Sequence, residues 1–341
     1  MRATVICTVL NEGESIRPLL DSLVSQTRAP DEVVIVDGGS HDNTVEVIQE
    51  YSTRLTLRLL VVPGANISRG RNAAIAAATG DMIASTDAGV WLAREWLAKL
   101  IGALQEAENK SKVTPPTGHG RCAAGFFVAD PQTIFERAMG ATVLPAVEEI
   151  DPRTFLPSSR SVAYTKAAWE AAGGYPEWLD YCEDLIFDLR LREAASLWAW
   201  APEAVAHFRP RSSLRPFFRQ YYRYARGDGK ADLWRMRHAI RYGTYLVVLP
   251  IILMLSIVQS PLWLLVVLGG ALAYCKTPFL RLRPHLAPLS PARRLQAVLL
   301  VPVIRVVGDV AKMLGYPAGW TWRLRNWSRP EIHWRTRLSS Q

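Results

Sequence analysis

Three polar residues stand where short apolar runs end: Asn11 after Ala3 to Val9, Asp37 after Val33 to Val36, and Asp87 after Met82 to Thr86. A lone Asp in such a place is a turn former or a helix cap. Three polar residues at successive strand ends are better placed to receive a ligand, because ligands of open α/β sheets sit beyond the carboxyl ends of the strands. A nucleotide diphosphate needs polar groups for its base and ribose and a counter-charge for its phosphates. A divalent ion held by one or two carboxylates plus phosphate oxygens commonly provides that charge. Asp37 and Asp87 suit these two tasks, and Arg69 and Arg71 are candidate phosphate partners. Asp37-Gly38-Gly39-Ser40 is a poor dinucleotide-binding turn, since there is no GxGxxG and no acidic residue after the expected second strand.

The elements that must position these residues alternate. Ala3 to Val9 reads as a buried strand, and Asn11 caps a helix with Ile16, Leu19, Leu20 and Leu23 on one face. Val33 to Val36 is a second strand, Thr44 to Tyr51 a helix capped by Asp42, and Leu57 to Val62 a third strand. Asn72 to Thr79 is an alanine-rich helix closed by Gly80, and Met82 to Thr86 is a fourth strand. Strands alternating with helices at this spacing predict a mainly parallel, Rossmann-like sheet covered on both faces. Lys110 to Gly120, polar and rich in Pro and Gly, reads as a loop, and Cys122 to Arg160 carries no clear periodicity. Val162 to Lys166 as a strand, a helix around Trp169 and a helix from Glu183 to Glu193 restore it.

The chain of 341 residues carries a formal charge of +9, and 49% of it is aliphatic, aromatic or cysteine. The excess charge falls after Pro202, in Arg209, Arg211, Arg215, Arg219, Arg223, Arg226, Arg235, Arg237 and Arg241, and again in Arg281, Arg283, Arg293 and Arg294. These groups flank two almost uncharged stretches, Tyr242 to Val258 and Pro261 to Phe279, each about long enough to cross a hydrocarbon core. That placement favours membrane lipid and phosphate over nucleic acid as the partner of the charge. Basic residues on both sides put both ends of the pair in the cytoplasm. A buried helical hairpin in a soluble protein is the other reading.

A third apolar segment, Leu295 to Leu314, bears Arg305, Asp309 and Lys312 along one side. That stripe suits an interfacial or re-entrant helix, or one packed on its neighbours. The tail with Trp320, Trp322, Trp327 and Trp334 is expected at the cytoplasmic interface. Cys7, Cys122, Cys182 and Cys275 are scattered without metal-finger spacing, which fits a reducing compartment. The N-terminus lacks the features of a signal peptide, so the N-terminal domain is expected in the cytoplasm and the chain in the inner membrane as a multi-pass protein.

Several segments together resemble family 2 glycosyltransferases of the GT-A fold. They are Thr8-Val9-Leu10-Asn11-Glu12, then Glu32 to Ser40 with Asp42 and Thr44, then Arg69-Gly70-Arg71-Asn72, then Asp87. The resemblance runs through about residues 3 to 230. It implies a GT-A domain over 1–230, and the apolar stretches beyond it imply a helical membrane region over 231–341. It also implies that Thr8, Glu12 and Asp37 contact the nucleoside of a UDP- or GDP-linked sugar, with Asn11 in the same site. Asp87 would be the surviving part of the DxD motif that binds Mn²⁺ or Mg²⁺. Gly89 stands where many relatives have the second aspartate.

Tyr181-Cys182-Glu183-Asp184 resembles the ED motif. An inverting transfer needs a carboxylate to take the acceptor's hydroxyl proton, and Asp184 is the candidate base with Glu183 in support. Both also suit a plain helix start, where acids are favoured by the dipole. Gln220-Tyr221-Tyr222-Arg223-Tyr224 is close to the QxxRW motif of processive synthases, with Tyr224 for Trp; it implies that Gln220, Arg223 and Tyr224 lie near the donor diphosphate. A basic-aromatic interfacial helix is the alternative. Gly227-Asp228-Gly229 reads as a flexible gate, and Arg160 as either a phosphate or acceptor contact or a solvated loop residue.

These readings lead to transfer of a sugar from a nucleotide diphosphate to a membrane-proximal, lipid-linked or growing glycan acceptor, in cell-envelope or exopolysaccharide synthesis. A polyprenyl-phosphate glycosyltransferase and an inactive scaffold that keeps the nucleotide-binding fold are the alternatives. A sugar nucleotidyltransferase would carry an N-terminal glycine-rich phosphate loop, which this chain lacks.

Overall fold

The computed structural model describes residues 1–110 and 120–335, so the loop expected between Lys110 and Gly120 lies outside the described residues except at its two ends. The strands are β1 (Ala3–Val9), β2 (Glu32–Asp37), β3 (Leu57–Val61), β4 (Met82–Ser85), β5 (Val90–Leu92), β6 (Gly120–Ala129), β7 (Val162–Thr165) and β8 (Ala195–Phe208). The helices are α1 (Arg17–Val24), α2 (Thr44–Gln49), α3 (Ile67–Ala77), α4 (Trp96–Lys110), α5 (Ile134–Val143), α6 (Lys166–Ala171), α7 (Glu183–Ala194), α8 (Leu214–Ala231), α9 (Arg235–Gly243), α10 (Leu249–Val258), α11 (Leu264–Leu282) and α12 (Pro291–Arg325). By internal packing the chain forms two compact units, residues 1–130 with 147–208, and residues 131–146 with 209–341.

In the first unit all eight strands join one sheet, in the order β3-β2-β1-β4-β7-β6-β8-β5. The first four pair in parallel, as the alternation of strands and helices predicts. β7 then runs antiparallel to both β4 and β6, while β6 and β8 are parallel to each other. Side chains alternate across the sheet. Val5, Cys7, Val33 and Ile35 enter one core with Leu19, Leu20, Trp96 and Leu100 from α1 and α4. Ile6, Val34 and Val36 enter the other core, with Ala74 and Ile75 of α3 and Phe187 and Leu191 of α7. Each such aliphatic or aromatic side chain contributes about 1.5–3 kcal/mol by leaving water.

Two elements differ from expectation. α3 begins at Ile67, five residues ahead of Asn72, because Asn66 caps it by accepting from the Arg69 amide at 2.9 Å. Arg69 and Arg71 therefore ride on a helix. The stretch from Cys122 to Arg160 is also well structured, with β6 and α5 in it. Thr133 and Glu136 form a capping box at the start of α5.

The second unit is helical. α8 and α12 cross at backbone contact: a Cβ added at Gly319 would lie 2.2 Å from the Arg226 carbonyl oxygen, and one at Gly315 2.2 Å from that of Tyr222. Gly227-Asp228-Gly229 is part of α8 and closely packed, not a hinge. Among the described residues two helices are long and apolar enough to cross a membrane, Arg235–Val258 and Pro261–His285. Neither is a buried core helix, since only 0% and 11% of their apolar windows are covered. Ile257, Val258 and Leu262 are 86%, 74% and 71% exposed.

α12 packs on α8 and α5, and Asp309 of its charged stripe is paired. Asp309, 5% exposed, accepts from Arg241 Nε at 2.7 Å, from the Tyr245 hydroxyl at 3.0 Å and from the Tyr274 hydroxyl. Arg235 lies over Trp320 and Lys230 over Trp322. Trp334, expected at the interface, is instead 3% exposed and donates to the Ala231 carbonyl at 2.9 Å.

Candidate active site

At the carboxyl ends of β1 and β2 the two loops brace each other. Asn11 takes a left-handed conformation (φ 53°), its amide donates to Ser40 Oγ at 2.8 Å, and its side-chain oxygen accepts from the His41 amide at 2.9 Å. Asp37, 1% exposed, accepts from the Gly39 and Ser40 amides at 3.0 and 2.9 Å and from the Ser40 hydroxyl. The amide of Glu12 donates to Thr44 Oγ1 at 2.9 Å, and its carboxylate accepts from Ser15 Oγ at 2.8 Å. Thr8 lies under α3, whose Gly70 comes so close that an added Cβ would meet Thr8 Cγ2 at 2.8 Å. The strand ends thus form a rigid shelf in which Asn11 and Asp37 are both occupied in holding the loops.

The centre of the site is Arg71. Its side chain is 2% exposed and bridges two acids, donating from Nη2 to Asp87 Oδ1 at 2.7 Å and from Nη1 to Glu183 Oε1 at 2.8 Å. Its guanidinium lies over the Tyr175 ring, 5.1 Å from the centroid. Arg71, expected as a phosphate partner, is therefore buried between two carboxylates. Arg69, two residues earlier, is exposed and lines an open groove with Asn72, Trp169 and Glu177.

Burial alone would raise the Asp87 carboxyl, but Arg71 and Arg160 more than offset it and hold the group below the usual aspartate range. Glu183 goes the other way. Burial and the neighbouring Asp184 outweigh the pull of Arg71 and push it up to about 7. Glu183 opens α7 after Cys182, which adopts the left-handed φ of 64° that turns the chain into the helix. Asp184 is half-buried in the same first turn and accepts from the Leu185 amide at 2.8 Å.

Two further features carry little sequence signal. Asp188, one helical turn on, is 1% exposed with neither carboxyl oxygen hydrogen-bonded, and burial together with the negative charge of Asp184 pushes its carboxyl well above the usual range. Its place four residues after Asp184 is the only hint. The hydroxyls of Ser159, Tyr175 and Tyr164 form a buried chain with links of 3.1 and 3.2 Å. Gln220, Arg223 and Tyr224 lie on α8, in the second unit. There Gln220 Nε2 donates to the Tyr224 hydroxyl at 2.6 Å, and Arg211 Nε donates to Gln220 Oε1 at 3.3 Å.

A divalent ion of the Mg²⁺ or Mn²⁺ kind keeps several waters and takes one or two carboxylates plus phosphate oxygens. Asp87 offers one ionised carboxylate, whose two oxygens have about four acceptor directions, so pairing with arginine does not exhaust it. Among the described residues no three of His, Cys, Asp and Glu are grouped to hold an ion. The residues fit an ion that arrives with a diphosphate, and not one caged by the protein alone.

Residues 4–125 match the family described as Glycosyl transferase family 2. The chain is 36% identical over 88 residues to an uncharacterized glycosyltransferase, YibD, of Escherichia coli, covering 26% of each chain. It is 24% identical over 235 residues to the O-antigen chain rhamnosyltransferase RfbN of Salmonella typhimurium, covering 65% of this chain and 71% of that one. The chain thus spans most of the second relative and about a quarter of the first. Among solved structures, the mannosyltransferase PcManGT of Pyrobaculum calidifontis, in complex with GDP-Man and Mn²⁺, superposes with a TM-score of 0.58 at 19% identity, over 92% of this chain and 87% of that one. Family match and fold agree with the strand-end acids and the bridged carboxylates: residues 4–125 match the glycosyl transferase family 2 model, and the chain has an α/β GT-A fold followed by a C-terminal helical region.

Proposed function

We propose that this protein moves a sugar from a UDP- or GDP-linked donor to a hydroxyl of a membrane-proximal, lipid-linked glycan, with inversion at the anomeric carbon. The observation that supports this most is the buried guanidinium of Arg71 joining Asp87 to Glu183, beside Asp184. It links an acid at the donor end of β4 to the helix start that offers a base.

In this reading Thr8, Asn11, Glu12 and Asp37 receive the nucleoside at the strand ends. In the same reading Asp87 and Arg69 face the diphosphate. Asp184 accepts the proton of the acceptor hydroxyl as that oxygen bonds to the anomeric carbon. The bond from that carbon to the diphosphate breaks, and the electron pair leaves with the nucleoside diphosphate. Glu183, held by Arg71, positions the first turn of α7. A divalent ion bound with the diphosphate would neutralise the leaving charge, with Asp87 as its protein ligand.

Residues 1–230 act as the catalytic domain in this account, and 231–341 as a membrane region. The exposed apolar hairpin and the arginines at both its ends support an inner-membrane, multi-pass placement with the catalytic domain in the cytoplasm. Purified protein in detergent, given a panel of UDP- and GDP-sugars, is expected to release nucleoside diphosphate from one of them with Mn²⁺ or Mg²⁺, and to lose that turnover in Asp87→Ala and Asp184→Asn. Nucleotide binding without turnover of any donor would instead assign the chain to the scaffold class.

A further inference from the structure

Arg160 is the second cation at Asp87. Its Nε lies 3.5 Å from Asp87 Oδ2, and the side chains of both are 25% exposed, so the pair sits at the mouth of the site. Its guanidinium is steadied over the Phe208 ring, 4.7 Å from the centroid, and its backbone amide and Nη1 approach Ser158 Oγ at 3.4 and 3.3 Å. Arg71 is committed between two acids and 2% exposed, so of the two arginines at Asp87 it is Arg160 that a ligand can reach.

Two residues beyond Asp87, where a second metal-binding carboxylate would belong, stands Gly89. It is exposed, it has no left-handed φ, and an added Cβ would meet nothing within 4 Å. Neither space nor backbone conformation calls for glycine there. The mouth of the site therefore offers a single carboxylate, the fewest that a divalent ion of the Mg²⁺ kind takes, with a partly exposed guanidinium beside it. A guanidinium is a planar, permanently charged donor suited to phosphate oxygens.

We propose that Arg160 is a diphosphate-binding residue that takes over part of the neutralisation otherwise left to a divalent ion, so that this protein holds its nucleotide without metal. The proposal rests on the reading of the site as a nucleotide-sugar site. It adds that the cation is built into the chain, with Gly89 as the complementary loss.

The test is calorimetric titration of UDP and GDP into the full-length protein in detergent, in Mn²⁺ and in EDTA. The wild type is expected to bind its preferred nucleotide in EDTA within about ten-fold of its affinity in Mn²⁺. Arg160→Gln should lose ten-fold or more in EDTA, equivalent to about 1.4 kcal/mol, and less in Mn²⁺. Gly89→Asp, placed in open space, should gain nucleotide-dependent Mn²⁺ uptake by electron paramagnetic resonance and make nucleotide binding more metal-dependent. Loss of wild-type binding in EDTA, or an Arg160→Gln variant with wild-type affinity in EDTA, would overturn the proposal while leaving the nucleotide site intact. Failure of the wild type to bind either nucleotide with or without metal would overturn both readings.

Discussion

Arg71 sets the electrostatics of the site because one guanidinium serves two acids with opposite tendencies. Removing it leaves Asp87 and Glu183 without a shared counter-charge in a poorly hydrated place, and breaking a buried pair in this way costs about 3–5 kcal/mol. Arg71→Leu is therefore expected to lower the thermal midpoint in detergent markedly, and Arg71→Lys to restore part of the loss. Glu183 gives a pH signature. Its folded value, about 7, lies above the ordinary 4.5, so the folded state binds the extra proton between those values. The stability this group contributes is full below the ordinary glutamate range and lost as pH rises through about 7. Glu183→Gln should flatten the pH dependence of the thermal midpoint across that window, and a profile identical to the wild type would contradict the assignment. Asp87, Glu183 and Asp184 were legible as acids at strand and helix ends. The bridge by Arg71 was not, because sequence spacing does not show which way a guanidinium turns once α3 is packed on the sheet.

Among the elements, the parallel strands β1 to β4 were legible because buried strands of this kind read as short apolar runs closed by turn residues. β8 was not, since its Trp, Ala, Pro and His residues alternate with only partial burial along 14 residues. α5 was missed although Thr133 and Glu136 spell a capping box, a signal a search for S/T-x-x-E would have found. The crossing of α8 and α12 leaves no room for side chains at Gly315 and Gly319. Gly319→Val is expected to destabilise the helical unit by about 1–3 kcal/mol through overpacking, read as a lower thermal midpoint in detergent. Gly89→Val, in open space, serves as the control that should not change it.

For the whole molecule, composition and charge placement foretold a helical tail with two apolar stretches, and those helices present an exposed apolar surface. The account expects the full chain to stay with membranes through high salt and alkaline carbonate, whereas charge attraction alone would be released by salt. Recovery in the soluble fraction after either wash would remove the membrane reading. The most direct test of the central claim is transfer of labelled sugar from a panel of nucleotide-sugars into a bacterial membrane lipid extract by the purified full chain. The account predicts that label from one donor moves into the lipid phase with the wild type and falls at least about a hundred-fold with Asp184→Asn, the low end for loss of a general base. Equal transfer by Asp184→Asn and wild type, or donor binding with no label leaving the nucleotide, would contradict it.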